Sequence, residues 1–381
     1  MNKKVAFVGT YPPEECGIAT FTKDVLCAAE NSGWQTYVCP VTEKFDIDFA
    51  DPRVVFRIEK EKLSDYRYAI SKMEAHNIGV LCIQHEYGIF GGDHGRHIIE
   101  MAKFATMPVI VTLHTVLPHP SVKERTIIKA LEKYVSSFVV MCDKAIEILR
   151  NSYGISPKKV FVIPHGAPDI PFNDYGRSKA QMGLYDKKVL STFGLIGPSK
   201  GIEDVISALP SVVKKVPDVI YLILGETHPA IKKKQGEEYR ESLMRLVTKL
   251  RLENNVQFVN KYFSLEELTQ YLQCTDVYIT PYYANPYQIT SGTLAYAVAL
   301  GKAVISTPYL YAEELLSNGR GILYPFREIK TLSSNIEKLL TDKELFEKTR
   351  KLAYKYGRTM TWENVGVQYG HLFTQCILSK K

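Results

Sequence analysis

Short, nearly unbroken apolar runs alternate with segments whose apolar residues recur at helical spacing through most of the chain. In the first half the runs are Val5–Gly9, Thr36–Val38, Val54–Ile58, Val80–Gln84, Val109–Leu113, Phe138–Met141 and Val160–Ile163. Amphipathic patterns at Lys62–His76, Asp93–Phe104 and Val122–Tyr134 lie between them. A strand that is apolar on both sides is covered on both sides, so the alternation predicts a parallel sheet flanked by helices. The turn-rich stretch Pro164-His165-Gly166-Ala167-Pro168-Asp169-Ile170-Pro171 interrupts the series and reads as a linker. A second series follows, with strands at Lys188–Gly194, Val219–Gly225, Val256–Val259, Val277–Thr280, Ala303–Ser306 and Gly321–Leu323. Its helical patterns include Ile202–Val213, Gln235–Leu250, Leu265–Cys274 and Thr293–Leu300. The fold class is therefore α/β, as two doubly wound parallel-sheet domains facing across a cleft, residues 1–166 and 170–360. In such sheets ligands bind beyond the carboxyl ends of the strands.

The 381-residue length suits two domains, and 45% apolar with 23% charged residues excludes disordered and low-complexity classes. Forty-eight Lys+Arg against 41 Asp+Glu gives a net charge of +7, a mild preference for anionic partners that does not imply nucleic acid. No stretch reaches the ~18 uninterrupted apolar residues of a membrane span. The apolar run after Lys3-Lys4 is broken at once by Gly9, Pro12 and Pro13, which favours a first strand over a signal peptide. The seven cysteines are scattered without a C-x-x-C pair, which points to a cytoplasmic protein without a zinc site or disulfide framework. Tyrosine is over-used, with 24 against 2 Trp, and four of the 24 fall at 282, 283, 287 and 296.

Candidate chemistry lies where strands end. The first strand runs into Thr10-Tyr11-Pro12-Pro13-Glu14-Glu15-Cys16-Gly17 before a helix expected near Phe21, and Gly17 lets backbone N–H groups approach an anion. Packing alone also accounts for one glycine. Gly194-Leu195-Ile196-Gly197-Pro198-Ser199-Lys200-Gly201 follows a strand and opens a helix, and so sets Lys200 and Gly201 where helix N–H groups also point, a combination suited to a diphosphate. Ser291-Gly292-Thr293 opens the next such helix and offers an anion seat, or plain capping. Tyr282, Tyr283, Tyr287 and Tyr296 are candidates for a nucleotide or sugar wall, although tyrosine is common in ordinary packing. His85 and His114 each end a strand; His114 reads as a polar site residue, His85 as either that or a structural histidine. No metal-ligand spacing appears, and Asp46-Ile-Asp48 reads as a chance acidic pair. The mixed basic and apolar helix at 122–134 allows contact with a membrane surface, and ordinary packing accounts for it equally.

Taken together, these segments resemble the retaining family-4 glycosyltransferases of the GT-B fold, two facing Rossmann-like domains, and the likeness covers nearly the whole chain. The opening glycine loop, Val162-Ile163-Pro164-His165-Gly166, Lys200-Gly201, Leu224-Gly225 and the run Ala299–Thr307 fall in the family's order. The terminal helix, 361–378, resembles the segment that crosses back to the first domain. The branch is divergent: the family's two glutamates correspond to Gln288 and Tyr296, and its arginine ahead of the phosphate lysine to Leu195. The resemblance implies a metal-independent, cofactor-free enzyme that moves a hexose, mannose or glucose, from a nucleotide-diphosphate sugar to a carbohydrate acceptor with retention. It assigns His114, Lys200 and Gln288 to the reacting end, and Gly17, Lys200, Gly201, Ser291, Gly292 and Thr293 to the donor and its phosphates. Overall likeness leans to mannose. A non-catalytic nucleotide-sugar binder would bind donor without releasing nucleotide, and a GT-B nucleotide-sugar isomerase would turn over donor without acceptor.

Overall fold

The computed structural model describes residues 2–43, 47–172, 175–282 and 287–380. The chain divides into two units, Met1–Gly166 with Tyr287–Gly292 and Thr359–Lys381, and Ala167–Pro286 with Thr293–Arg358. The segment Tyr287–Gly292, expected within 170–360, thus groups with the first unit.

The first unit holds a seven-stranded sheet: β1 (Lys4–Gly9), β2 (Gln35–Thr42), β3 (Ile58–Glu59), β4 (Val80–His85), β5 (Val109–Leu113), β6 (Ser137–Val140) and β7 (Val160–Val162), in the order β3-β2-β1-β4-β5-β6-β7. Every pairing is parallel. All six residues of β4 and all five of β5 are buried, which is why these strands read as nearly unbroken apolar runs. The second unit holds six parallel strands: β8 (Lys188–Phe193), β9 (Val219–Leu224), β10 (Val256–Val259), β11 (Val277–Thr280), β12 (Ala303–Ser306) and β13 (Ile322–Leu323), in the order β10-β9-β8-β11-β12-β13. Strand order reverses between β1 and β4 in one sheet and between β8 and β11 in the other. At such a reversal neighbouring connections leave in opposite directions and open a crevice at the strands' carboxyl ends.

Local structure departs from expectation in four places, each with a backbone cause. The strand expected at Val54–Ile58 shrinks to a bridge from Val54 to Val38 and the two residues of β3. A turn causes this: Val54 donates to the Asp51 carbonyl, and the Arg53 guanidinium grips the Asp51 carboxylate at 2.7 and 2.9 Å. The helix expected from Asp93 begins at His97, because Gly92, His94 and Gly95 all have positive φ. The helix expected over Gln235–Leu250 begins at Glu238, because Gly236, at φ +62, ends a separate helix at Pro229–Gln235. The first helix starts at Gly17 rather than near Phe21, capped by the Cys16 thiol, which accepts from the Ala19 N–H at 3.3 Å.

The terminal helix, Trp362–Ser379, is part of the first unit and packs against the helix Gly17–Asn31. Glycine makes that approach possible. A Cβ on Gly366 would lie 2.2 Å from the Ala28 carbonyl oxygen. Below it Phe373 meets Phe7 and Trp34 edge-on, and the Tyr369 and Thr112 hydroxyls pair at 3.0 Å. Gly366→Ala is expected to destabilise the protein by about 1–3 kcal/mol through overpacking, although alanine is the better helix former. Urea denaturation checks this; a stabilised variant would show that the two helices are not in contact.

Candidate active site

In the first unit the crevice residues surround a buried aromatic ring. His114 follows β5, and its Nε2 lies 3.0 Å from the Gln84 amide oxygen on the neighbouring β4. With an amide oxygen opposite, Nε2 carries the proton and Nδ1 is free of one. The Phe21 ring meets His114 edge-on at 4.8 Å, His165 at 5.0 Å and Trp362 at 5.5 Å between centroids. Burial, then the neighbouring His165 and His85, pushes His114 down to about 3. Burial likewise lowers His165 and His85 to about 4. All three are neutral at pH 7 and offer hydrogen bonds rather than charge. His85 is fully buried against Tyr87 and Phe90, with neither ring nitrogen hydrogen-bonded among the described residues. Glu86 beside it accepts from the Thr115 hydroxyl at 2.6 Å and the Tyr87 N–H at 3.0 Å, and burial raises its carboxyl above the usual range.

The turn after β1 is held from below. The Tyr11 hydroxyl donates to Asp51 at 2.6 Å, and Arg53 ties that carboxylate to Glu30. Gly17 needs no special backbone angle, and a Cβ there would meet nothing within 4 Å, so open space lies over the start of the helix. In the segment Tyr287–Gly292, exposed Tyr287 meets His119 edge-on, and the Gln288 amide donates to the Thr290 carbonyl at 2.6 Å. Ser291 is buried, and a Cβ on Gly292 would lie 3.0 Å from His165 Nε2. Tyr283 and Asp46 lie outside the described residues.

In the second unit glycines shape the crevice. A Cβ on Gly225, which follows β9 at φ +137, would lie 2.0 Å from the carbonyl oxygen of Gly194, which follows β8. Only glycine fits there. The chain continues through a single 3-10 turn, Pro198–Lys200, to Gly201, whose φ of +64 opens the helix Ile202–Lys215. Lys200 Nζ sits 4.0 Å over the centroid of the Tyr282 ring, and no carboxylate among the described residues pairs with it. The Tyr282 hydroxyl lies 3.2 Å from that of Thr293, in the first turn of the helix Gly292–Ala299. A Cβ on Gly194 would approach the Thr293 methyl at 3.6 Å. Gly194, Lys200, Tyr282 and Thr293 therefore gather at the reversal between β8 and β11. His228 nearby is lowered by burial and then by the Lys200 charge. Tyr296 is 7% exposed and shows a ligand almost no surface.

Sequence reasoning passed over Gln84, Phe21, Trp362 and the Tyr11–Asp51–Arg53 brace. Only Gln84 carried a signal, as one amide inside a fully buried apolar strand. Among the described residues no group of three or more His, Cys, Asp or Glu side chains is placed to hold a metal ion. No described helix is long and apolar enough to cross a membrane.

Residues 176–359 match the family described as "Glycosyl transferases group 1". The chain carries a glycosyltransferase group 1 domain, and it is an enzyme of that class with the GT-B fold. It is 24% identical over 401 aligned positions to the alpha-monoglucosyldiacylglycerol synthase of Streptococcus pneumoniae, covering 98% of this chain and 86% of that protein. Sucrose-phosphate synthase from Thermosynechococcus elongatus superposes with a TM-score of 0.79 at 15% identity, over 99% of this chain and all of the other. The Anabaena protein HepE, solved with UDP and glucose, superposes with a TM-score of 0.75 at 16% identity, over 98% of this chain and 100% of that one.

Proposed function

We propose that the enzyme moves a hexose from a nucleotide-diphosphate sugar to a carbohydrate hydroxyl, keeps the anomeric configuration and needs no metal. One observation carries the reading: at the strand-order reversal of the second sheet, Lys200 lies free of any described carboxylate, over the ring of Tyr282, whose hydroxyl meets Thr293 in the first turn of a helix. A departing diphosphate gathers negative charge, and an ammonium with free helix N–H groups stabilises that charge without reorganising. In the proposed step the acceptor oxygen bonds to the anomeric carbon as the bond from that carbon to the phosphate oxygen breaks. The acceptor proton passes to the departing phosphate. Neutral His114 suits a hydroxyl-binding role toward the sugar, and Gln288 retains an amide oxygen for the same purpose.

Glucose is the first donor to test, although the sequence leans to mannose. The Streptococcus relative is named for an α-glucoside product, and the Anabaena structure holds UDP with glucose. The α in that name also supports retention, since UDP-glucose is an α-linked donor. All seven cysteines are free thiols, which suits the cytoplasm.

The test is nucleoside diphosphate release from UDP-glucose and GDP-mannose, with mono- and oligosaccharide acceptors and, in a separate arm, diacylglycerol vesicles. Release that depends on a sugar acceptor and survives EDTA is expected. Release only with diacylglycerol would overturn the acceptor assignment, and release without any acceptor would favour an isomerase or hydrolase.

A further inference from the structure

We propose that Tyr282 is a positioning residue: its ring is the seat that holds the Lys200 ammonium in place for a diphosphate. The inference rests on the glycosyltransfer reading above. The ring lies below the ammonium at 4.0 Å from its centroid, the geometry of a cation–π contact. A lysine in a turn, without such a contact, spreads over many rotamers and pays their entropy each time it binds an anion. A carboxylate would also fix it, but would neutralise the charge that the phosphate needs. An aromatic face restrains the ammonium and leaves its full charge available.

The ring is itself fixed on every side. Tyr309 stacks on it with centroids 5.7 Å apart and planes 18° apart, and Thr307 donates a hydrogen bond to the Tyr282 carbonyl. At the far end the Tyr282 hydroxyl meets Thr293, 3.2 Å away. One side chain therefore links the lysine to the first turn of the helix Gly292–Ala299. With 4% exposure, Lys200 over it and Tyr309 stacked on it, the ring has little surface for a base or sugar. This replaces the ligand-wall role expected for it. It also gives one of the excess tyrosines a specific task.

Two measurements test the seat. Reductive methylation with ¹³C-formaldehyde, assigned with Lys200→Arg, reports the Lys200 methyl resonance of the unliganded protein. Ring current should shift it upfield, the shift should persist in Tyr282→Phe, and it should vanish in Tyr282→Leu. Calorimetric titration with UDP then follows a double-mutant cycle. Tyr282→Leu is expected to weaken UDP binding about 5- to 30-fold, the range a cation–π contact supports. Tyr282→Phe should recover most of that loss, and Tyr282→Leu should cost nothing further in a Lys200→Ala background. An unshifted resonance, or losses that multiply in the double variant, would overturn the proposal, and equal melting temperatures of the Leu and Phe variants separate positioning from folding. If the wild type binds no nucleoside diphosphate, the glycosyltransfer reading fails, while the resonance still decides the seat.

Discussion

Lys200→Ala lowers kcat for sugar transfer by about 10²–10³, the cost of removing one preorganised charge from a developing anion. Loss of stability is small by comparison. The lysine makes one aromatic contact and no described ion pair, so its removal gives up about 0.5–1 kcal/mol of folding energy. For a unit of this size that moves the melting temperature by only about 1–4 °C. Turnover and stability are thus separated by more than the error of either measurement. The arginine variant should retain part of the rate, because it keeps the charge but not the compact ammonium that fits over the ring. Steady-state rates at saturating donor, beside a thermal melt of the same preparation, check both halves. A Lys200→Ala enzyme with wild-type kcat would remove the lysine from the phosphate site.

The second large effect is acid instability of the first unit. His114 falls to about 3, and His85 and His165 to about 4, chiefly through burial, against 6.5 when unfolded. The unfolded chain therefore binds more protons than the folded one between pH 6.5 and about 4. Stability from these groups is fully present above pH 6.5 and is lost as pH falls toward 4. Each group contributes on the order of 3 kcal/mol across that window, and together they approach the whole stability of an ordinary domain. Urea unfolding followed from pH 7.5 to 4.5 should show a steep decline with a slope nearing three protons. His85→Phe should remove about one proton from that slope, since the His85 nitrogens have no hydrogen-bond partner among the described residues. A flat profile over this range would mean that the three rings are solvated.

The fold was largely legible because parallel strands buried on both faces leave nearly unbroken apolar runs, as β4 and β5 do. It was less legible where backbone geometry overrides pattern. His94 takes a positive φ that no side-chain periodicity reveals, and the Asp51–Arg53 turn cuts short a stretch otherwise written as a strand. Within the site, Lys200 stood out because glycines flank it and a strand precedes it. Its neighbour Tyr282 stood out only as a candidate ligand wall, since a tyrosine after a strand reads equally well as packing or as a wall. Their contact arises from the parallel pairing of β8 with β11, a long-range register that the local sequence does not encode. The Gln84–His114 bond likewise depends on β4 pairing with β5. Pairs made by strand order emerge only once the sheet is assembled.

The most direct test of glycosyl transfer at this site is a single preparative reaction with UDP-glucose and a saccharide acceptor, in EDTA, followed by ¹H NMR. The expected result is one UDP released per glucoside formed, and an anomeric proton with the small coupling of an α-linkage. A β-linked product, or UDP release without any glucoside, would contradict retaining transfer.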